Sequence, residues 1–204
     1  MPTRTYFYPA ATALVLTVFI AGLLGGPAWR VELDWIAALG LWRLAHPQVT
    51  GVLIWLTYLG SSFVLLPVTA VVGALLVWRG QRSAASRMIG VTLGGGALVE
   101  LIKWVVDRPR PSFDPHPVVI YGQSFPSGHA GNSMVTYLAI ALFALPARWR
   151  GWGIAAAIAL AVTIGATRPY LGVHWPSDVI GGWALGLVWT LGWWRVSRRG
   201  QSAD

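Results

Sequence analysis

Long apolar runs separated by short polar connections dominate the chain. Six runs approach the length of a membrane crossing, about 20 residues, because a helix rises about 1.5 Å per residue and hydrocarbon is roughly 30 Å thick. They extend from Phe7 to Gly26, about Gly60 to Trp78, Met88 to Val106, near His129 to near Leu145, Trp152 to about Thr167, and Val179 to Trp194. The last three are short, so each is expected to borrow a turn from its flanks or to cross a thinned bilayer. Between the first two runs, Val31 to Thr50 places Leu33, Ile36, Ala37, Leu41 and Leu44 at helical spacing beside Glu32, Asp34 and Arg43. This predicts a short amphipathic helix in the outer interface with Pro47 near its end, a connector that could also shape a lipid entrance. From Asp107 to Phe125, Pro109, Pro111, Pro115 and Pro117 among polar residues predict a stiff, extended loop. The tail from Gln201 to Asp204 reads as frayed. The pattern predicts an all-α fold: one domain over residues 1–204, an integral membrane bundle of six transmembrane helices with a short interfacial amphipathic helix between the first two.

Composition narrows the class. Of 204 residues, 55% are hydrophobic and 11% charged, and the mean hydropathy of +0.59 is far from that of an ordinary soluble domain. Tryptophans gather near the ends of the runs (Trp29, Trp78, Trp104, Trp149, Trp152, Trp193 and Trp194), as in an interfacial belt. Gly94, Gly95, Gly96, Gly181, Gly182 and Gly186 inside the runs either permit close helix approach or are simply tolerated. With no cysteine, disulfides and thiolate metal sites are excluded. The first run is long for a signal-peptide core and lacks a small-x-small cleavage site before Pro27, so it reads as an anchor.

The net charge of +8 is not the footprint of a nucleic-acid partner, because its distribution follows the runs. Arg4, then Arg79, Arg82 and Arg87, then Arg148 and Arg150, then Arg195, Arg198 and Arg199 all fall on one side of a six-span arrangement. By the positive-inside rule that side is cytoplasmic. Glu32, Asp34, Asp107, Asp114 and Asp178 fall on the other, which faces the exterior or periplasm.

Three clusters suited to phosphate share that outer side. Lys103 stands one turn before the end of the third run, and Arg110 follows after six residues, just before Pro111. A lone lysine there would snorkel to the interface, but with Arg110 it forms a possible clamp of point charge and planar fork. Glu100, one turn earlier, is expected to pair with Lys103. Pro126-Ser127-Gly128-His129 marks the change from loop to helix. Serine can cap the helix, glycine lets backbone approach a ligand, and the free N–H groups attract anions. Alone, the tetrapeptide reads equally as an ordinary cap followed by a bystander histidine. Finally, Arg168 precedes His174 by six positions and Asp178 by ten. If helix begins at His174, the carboxylate lies one turn on and can accept the Nδ1 proton, leaving Nε2 free as a nucleophile.

These three patterns resemble, in order, spacing and placement across the whole chain, the signature of the type 2 phosphatidic acid phosphatase (PAP2) superfamily, in its bacterial membrane lipid phosphatase and undecaprenyl-diphosphatase-like branch. One departure is Thr167, where the family usually has serine; threonine keeps the hydroxyl and stiffens the side chain, so tuning rather than loss is expected. The resemblance implies a catalytic set of His174 as nucleophile, His129 as acid and then base, and Asp178 orienting His174. It implies phosphate binding by Lys103, Arg110, Ser127, Gly128 and Arg168, with no metal and no cofactor. Bound phosphate would favour protonated His129 and the cations an unprotonated His174, giving a bell-shaped pH–rate profile. The implied substrate is a lipid phosphate or diphosphate: undecaprenyl diphosphate first, with phosphatidylglycerol phosphate and phosphatidic acid beside it. The competing readings are a membrane anion transporter, which would leave both histidines without a task, and a lipid-phosphate-binding protein with an idle site.

Overall fold

A computed structural model describes residues 28–112, 117–118 and 122–200. The expected first span (Phe7 to Gly26), Arg4, Asp114, Pro115 and the tail lie outside the described residues. Those described form seven helices and no strand: α1 (Ala28–Ala45), α2 (Pro47–Tyr58), α3 (Ser62–Trp78), α4 (Arg82–Val106), α5 (Gly128–Phe143), α6 (Ala147–Tyr170) and α7 (Pro176–Gly200).

Helices α3 to α7 coincide with the second to sixth apolar runs, with informative differences at their ends. The fifth and sixth do not stay short: α6 has 24 residues and α7 has 25. Hydropathy marks only the part inside hydrocarbon, while the arginine-bearing turns at Ala147–Gly151 and beyond Trp194 continue the same backbone hydrogen bonding into the interface. The fourth remains short at 16 residues. By length and composition α4 and α6 are each able to cross a membrane, and α2 with α3 would add a third crossing, bent by 43°.

Helix α2 was not anticipated. Pro47, read as a stop for the interfacial helix, is also the first residue of the next one, where its missing N–H costs nothing. The helix over Val31 to Ala45 exists, with most of its apolar stripe turned away from the rest of the protein. Of that stripe Ile36 is buried, while Leu33, Leu41 and Leu44 are exposed. Two of its polar groups turn inward, Glu32 to meet Arg108 and Arg43 to donate to the Tyr170 carbonyl, while Asp34 is exposed. Such a face is stable when the surrounding solvent is hydrocarbon, which receives the leucines.

Helix α5 is the hub, packed on α4, α6 and α7. Its closest contact is with α7. A Cβ on Gly182 would lie 2.7 Å from the Ser127 carbonyl oxygen, and one on Gly186 2.8 Å from that of Gly131. Both neighbours are backbone, so any side chain would force the helices apart. At one end of the bundle Leu76, Met88, Leu142 and Phe143 form an apolar cluster. Beside it, the guanidinium groups of Arg150 and Arg198 lie 5.0 and 5.6 Å from the Trp194 ring. The arginine-rich turns therefore gather at the end opposite the connections that carry the phosphate-suited clusters.

Candidate active site

The local build begins at the entry to α7. The helix starts at Pro176 rather than at His174, yet the contact expected of His174 and Asp178 is still made. Asp178 reaches back to accept from the Trp175 backbone N–H at 2.8 Å, as the acidic residue of a capping box does. The same oxygen, Oδ2, lies 3.3 Å from His174 Nδ1 and accepts a short hydrogen bond from the Ser124 hydroxyl. The other oxygen accepts from Arg108 Nη1 at 2.7 Å. Arg110 Nη1 lies 2.9 Å from His174 Nε2. A guanidinium only donates, so Nε2 accepts and the ring proton sits on Nδ1, toward Asp178.

Arg110 is fixed by carbonyl groups. Its Nε donates to Gly122 at 2.9 Å, Nη1 to Val173 at 2.8 Å and Nη2 to Gln123 at 3.1 Å. Lys103 pairs with Glu100 at 3.2 Å, and its Nζ lies 3.2 Å from where a Gly128 Cβ would stand, so glycine is what lets the ammonium reach the start of α5. Arg168 is buried; Nη1 donates to the Thr57 hydroxyl at 2.9 Å, while its Nε has no partner. The Ser127 side chain does not cap α5. Its hydroxyl is buried and unpartnered, and its backbone N–H donates to the Asp178 carbonyl at 2.9 Å, tying the second cluster to the third. Thr167 spends its hydroxyl on its own helix, donating to the Ile164 carbonyl at 2.6 Å.

His129, on the first turn of α5, lies within electrostatic reach of Arg168, His174, Lys103 and Arg110. The fold thus brings Lys103, Arg110, Ser127, Gly128, His129, Arg168, His174 and Asp178 to one end of the bundle. Burial holds the His174 imidazole well below the usual histidine range, and the cations Arg110, Arg168 and Lys103 push it the same way. Burial also lowers Arg110, against the pull of Asp178 and Glu100.

Four contributors went unnoticed in the sequence. Arg108 joins Asp178 to Glu32, 2.9 Å from the latter, and lies 5.4 Å from the centre of the Trp175 ring. Glu32 also accepts from the Ser177 N–H at 2.7 Å. Ser124 holds Asp178, and Thr57 holds Arg168. The signal available for Arg108 was indirect: a buried carboxylate has two oxygens to satisfy, and His174 engages one.

Among the described residues, a helical bundle with exposed leucines, whose cations and imidazoles meet at one end, has the make-up of a membrane protein suited to phosphate. Comparison with known proteins makes that class specific. The PAP2 superfamily matches residues 84–201. Phosphatidylglycerophosphatase B of Bacillus subtilis is 35% identical over 150 residues, 71% of this chain and 73% of that protein. Undecaprenyl-diphosphatase of Sulfolobus acidocaldarius is 31% identical over 198 residues, 90% of this chain and 87% of that one. The crystal structure of a transmembrane PAP2 type phosphatidylglycerolphosphate phosphatase from Bacillus subtilis superposes with a TM-score of 0.85 at 29% identity, over 94% of this chain and 96% of that one. The chain belongs to the PAP2 superfamily. It is an integral membrane phosphatase, a hydrolase of phosphate esters.

Proposed function

We propose that this enzyme removes the terminal phosphate of a lipid phosphate or diphosphate through a phosphohistidine on His174, without a metal or cofactor. Undecaprenyl diphosphate, phosphatidylglycerol phosphate and phosphatidic acid are the candidate substrates. The observation that carries the reading is the His174 hydrogen-bond pattern: Nδ1 faces Asp178 and Nε2 accepts from Arg110. A bound phosphoryl group takes over the Arg110 donor, which releases the Nε2 lone pair beside the phosphorus. Nε2 then bonds to phosphorus as the bond to the leaving oxygen breaks, and His129 gives that oxygen a proton. Water attacks the phosphohistidine with His129 as base, the P–N bond breaks, and inorganic phosphate leaves. Lys103, Arg110, Arg168, the Ser127 hydroxyl and the Gly128 N–H hold the non-bridging oxygens, where the transition state concentrates charge.

The chain acts as one domain of six spans in a bacterial inner membrane, with the arginine-rich end and both termini cytoplasmic and the site facing the periplasm. The gathering of Arg150 and Arg198 at the end opposite His174 supports that orientation. Phosphate release from detergent-solubilised lipids in the presence of EDTA tests the reading. Activity that persists in EDTA and is lost in His174→Ala and His129→Ala is expected; an EDTA-sensitive activity, or one that survives His174→Ala, contradicts it.

A further inference from the structure

Beside the phosphate-suited cluster, a cleft of about 210 Å³ opens between α3, α4 and α5. Leu65, Leu66, Leu93 and Ala97 supply its apolar wall, and Leu66 and Leu93 are exposed, so the cleft opens sideways toward lipid. Four polar side chains interrupt that wall, Ser62, Thr92, Asn132 and Thr136, and two of them are unsatisfied. The Thr92 hydroxyl and the Asn132 Oδ1 are both buried and have no hydrogen-bond partner. In a hydrocarbon setting such groups are costly unless a ligand answers them. Threonine on a helix commonly bonds the carbonyl one turn back, as Thr69 does to Leu65; Thr92 does not.

The cleft adjoins the phosphate cluster. Asn132 stands one turn after Gly128 on α5, and its Nδ2 lies 3.9 Å from where a Gly128 Cβ would be, a point 3.2 Å from Lys103 Nζ. Its Oδ1 is turned toward Gly96, where a Cβ would be 4.0 Å away. Whichever way the amide is turned, one polar end lies beside Gly128 and the other meets the cleft. No charged residue lines the space.

Resting on the lipid phosphatase reading, we infer that this cleft seats the leaving group, with Asn132 recognising an uncharged oxygen atom a few bonds from the scissile phosphate and Thr92, eleven positions before Lys103 on α4, recognising one farther along the same group. The chemistry that fits is a hydroxyl or ester oxygen on a glycerol or sugar. At about 210 Å³ the cleft is far above the roughly 10–15 Å³ that a single water needs. A prenyl diphosphate places either hydrocarbon or a second anionic phosphate there, and the cleft offers the one no use for its polar atoms and the other no cation. On this inference a phosphate on an oxygen-bearing alcohol ranks ahead of undecaprenyl diphosphate as substrate.

The test compares kcat/KM for wild type, Asn132→Leu and Thr92→Val on phosphatidylglycerol phosphate, a lipid A 1-phosphate and undecaprenyl diphosphate in detergent. The two oxygen-bearing substrates separate glycerol from sugar. Wild type is expected to favour at least one of them over the diphosphate. Thr92→Val should lose ten-fold or more on the favoured substrate while its diphosphate turnover, which also reports folding, stays within two-fold; Asn132→Leu, which also removes the amide end beside Gly128, should lose at least ten-fold more on the favoured substrate than on the diphosphate. Equal losses on all substrates, no loss on any, or a wild type that hydrolyses only the diphosphate overturns the cleft assignment and leaves the lipid phosphatase reading intact. Hydrolysis of no lipid removes that reading, and the cleft is then judged separately. Because the chain has no cysteine, Leu93→Cys in a His174→Ala background places a single thiol on the cleft rim. Phosphatidylglycerol phosphate or the lipid A 1-phosphate should protect it from a maleimide while inorganic phosphate does not; protection by neither lipid overturns the inference.

Discussion

The two sides of the site are built on opposite plans. On the nucleophile side every polar atom has an appointment: Asp178 accepts from Arg108, Ser124 and the Trp175 N–H while facing His174, and Arg108 is held in turn by Glu32. On the ligand side the Ser127 hydroxyl, the Arg168 Nε, the Thr92 hydroxyl and the Asn132 Oδ1 are buried without partners. The satisfied side orients one imidazole before substrate arrives, and the unsatisfied side leaves its hydrogen-bonding capacity for what arrives. Stability and activity should therefore respond differently to mutation on the two sides.

The largest effect is expected from Arg108→Gln. It leaves Asp178 and Glu32 facing each other's surroundings without their shared cation, and breaking a buried ion pair from one side costs about 3–5 kcal/mol. A thermal melt in detergent should show a large drop together with lost activity; an unchanged melting temperature would erase the contrast between the two sides. Next is Arg110→Gln, expected to lower kcat/KM by about 100-fold, or about 2.7 kcal/mol. It also tests ionisation. The lowered pKa of His174 keeps the ring unprotonated as pH falls through the ordinary histidine value near 6.5, so the acid limb of kcat/KM that reports His174 lies below about 6.5 in wild type. Removing the Arg110 cation weakens one cause of that lowering, so the limb should move upward; a stationary limb would deny Arg110 its hold on His174.

Ser127→Ala should cost about ten-fold in kcat/KM, about 1.4 kcal/mol, with little change in melting temperature, because the hydroxyl it removes has no partner in the folded protein. A large drop in stability would place Ser127 with the nucleophile side instead. The smallest effect belongs to Thr167→Ser. The serine can make the same hydrogen bond to the Ile164 carbonyl, so activity within about two-fold is expected, with stability reduced by roughly a methyl group's burial, about 0.5–1.5 kcal/mol.

What could be read from the sequence follows the same division. Ionisable residues at the ends of apolar runs are costly enough to be conspicuous, so Lys103, Arg110, His129, Arg168, His174 and Asp178 stood out by position as well as by pattern. The scaffold behind them did not. Glu32 and Arg108 are 76 positions apart, and nothing local in either segment announces the other. Thr57 was hidden because α2 was hidden, since a proline that stops one helix and starts another has the same spelling. The inward contacts of Glu32 and Arg43 on α1 were illegible for a different reason. Periodicity locates an apolar stripe without saying whether protein or lipid will receive it.

The central claim is a covalent bond between His174 and phosphorus. Rapid quenching of the enzyme with a lipid substrate labelled in its terminal phosphate tests it most directly. The account predicts an acid-labile, base-stable label on His174 that disappears in His174→Ala; active enzyme that forms no such label, or carries it on His129, would contradict it.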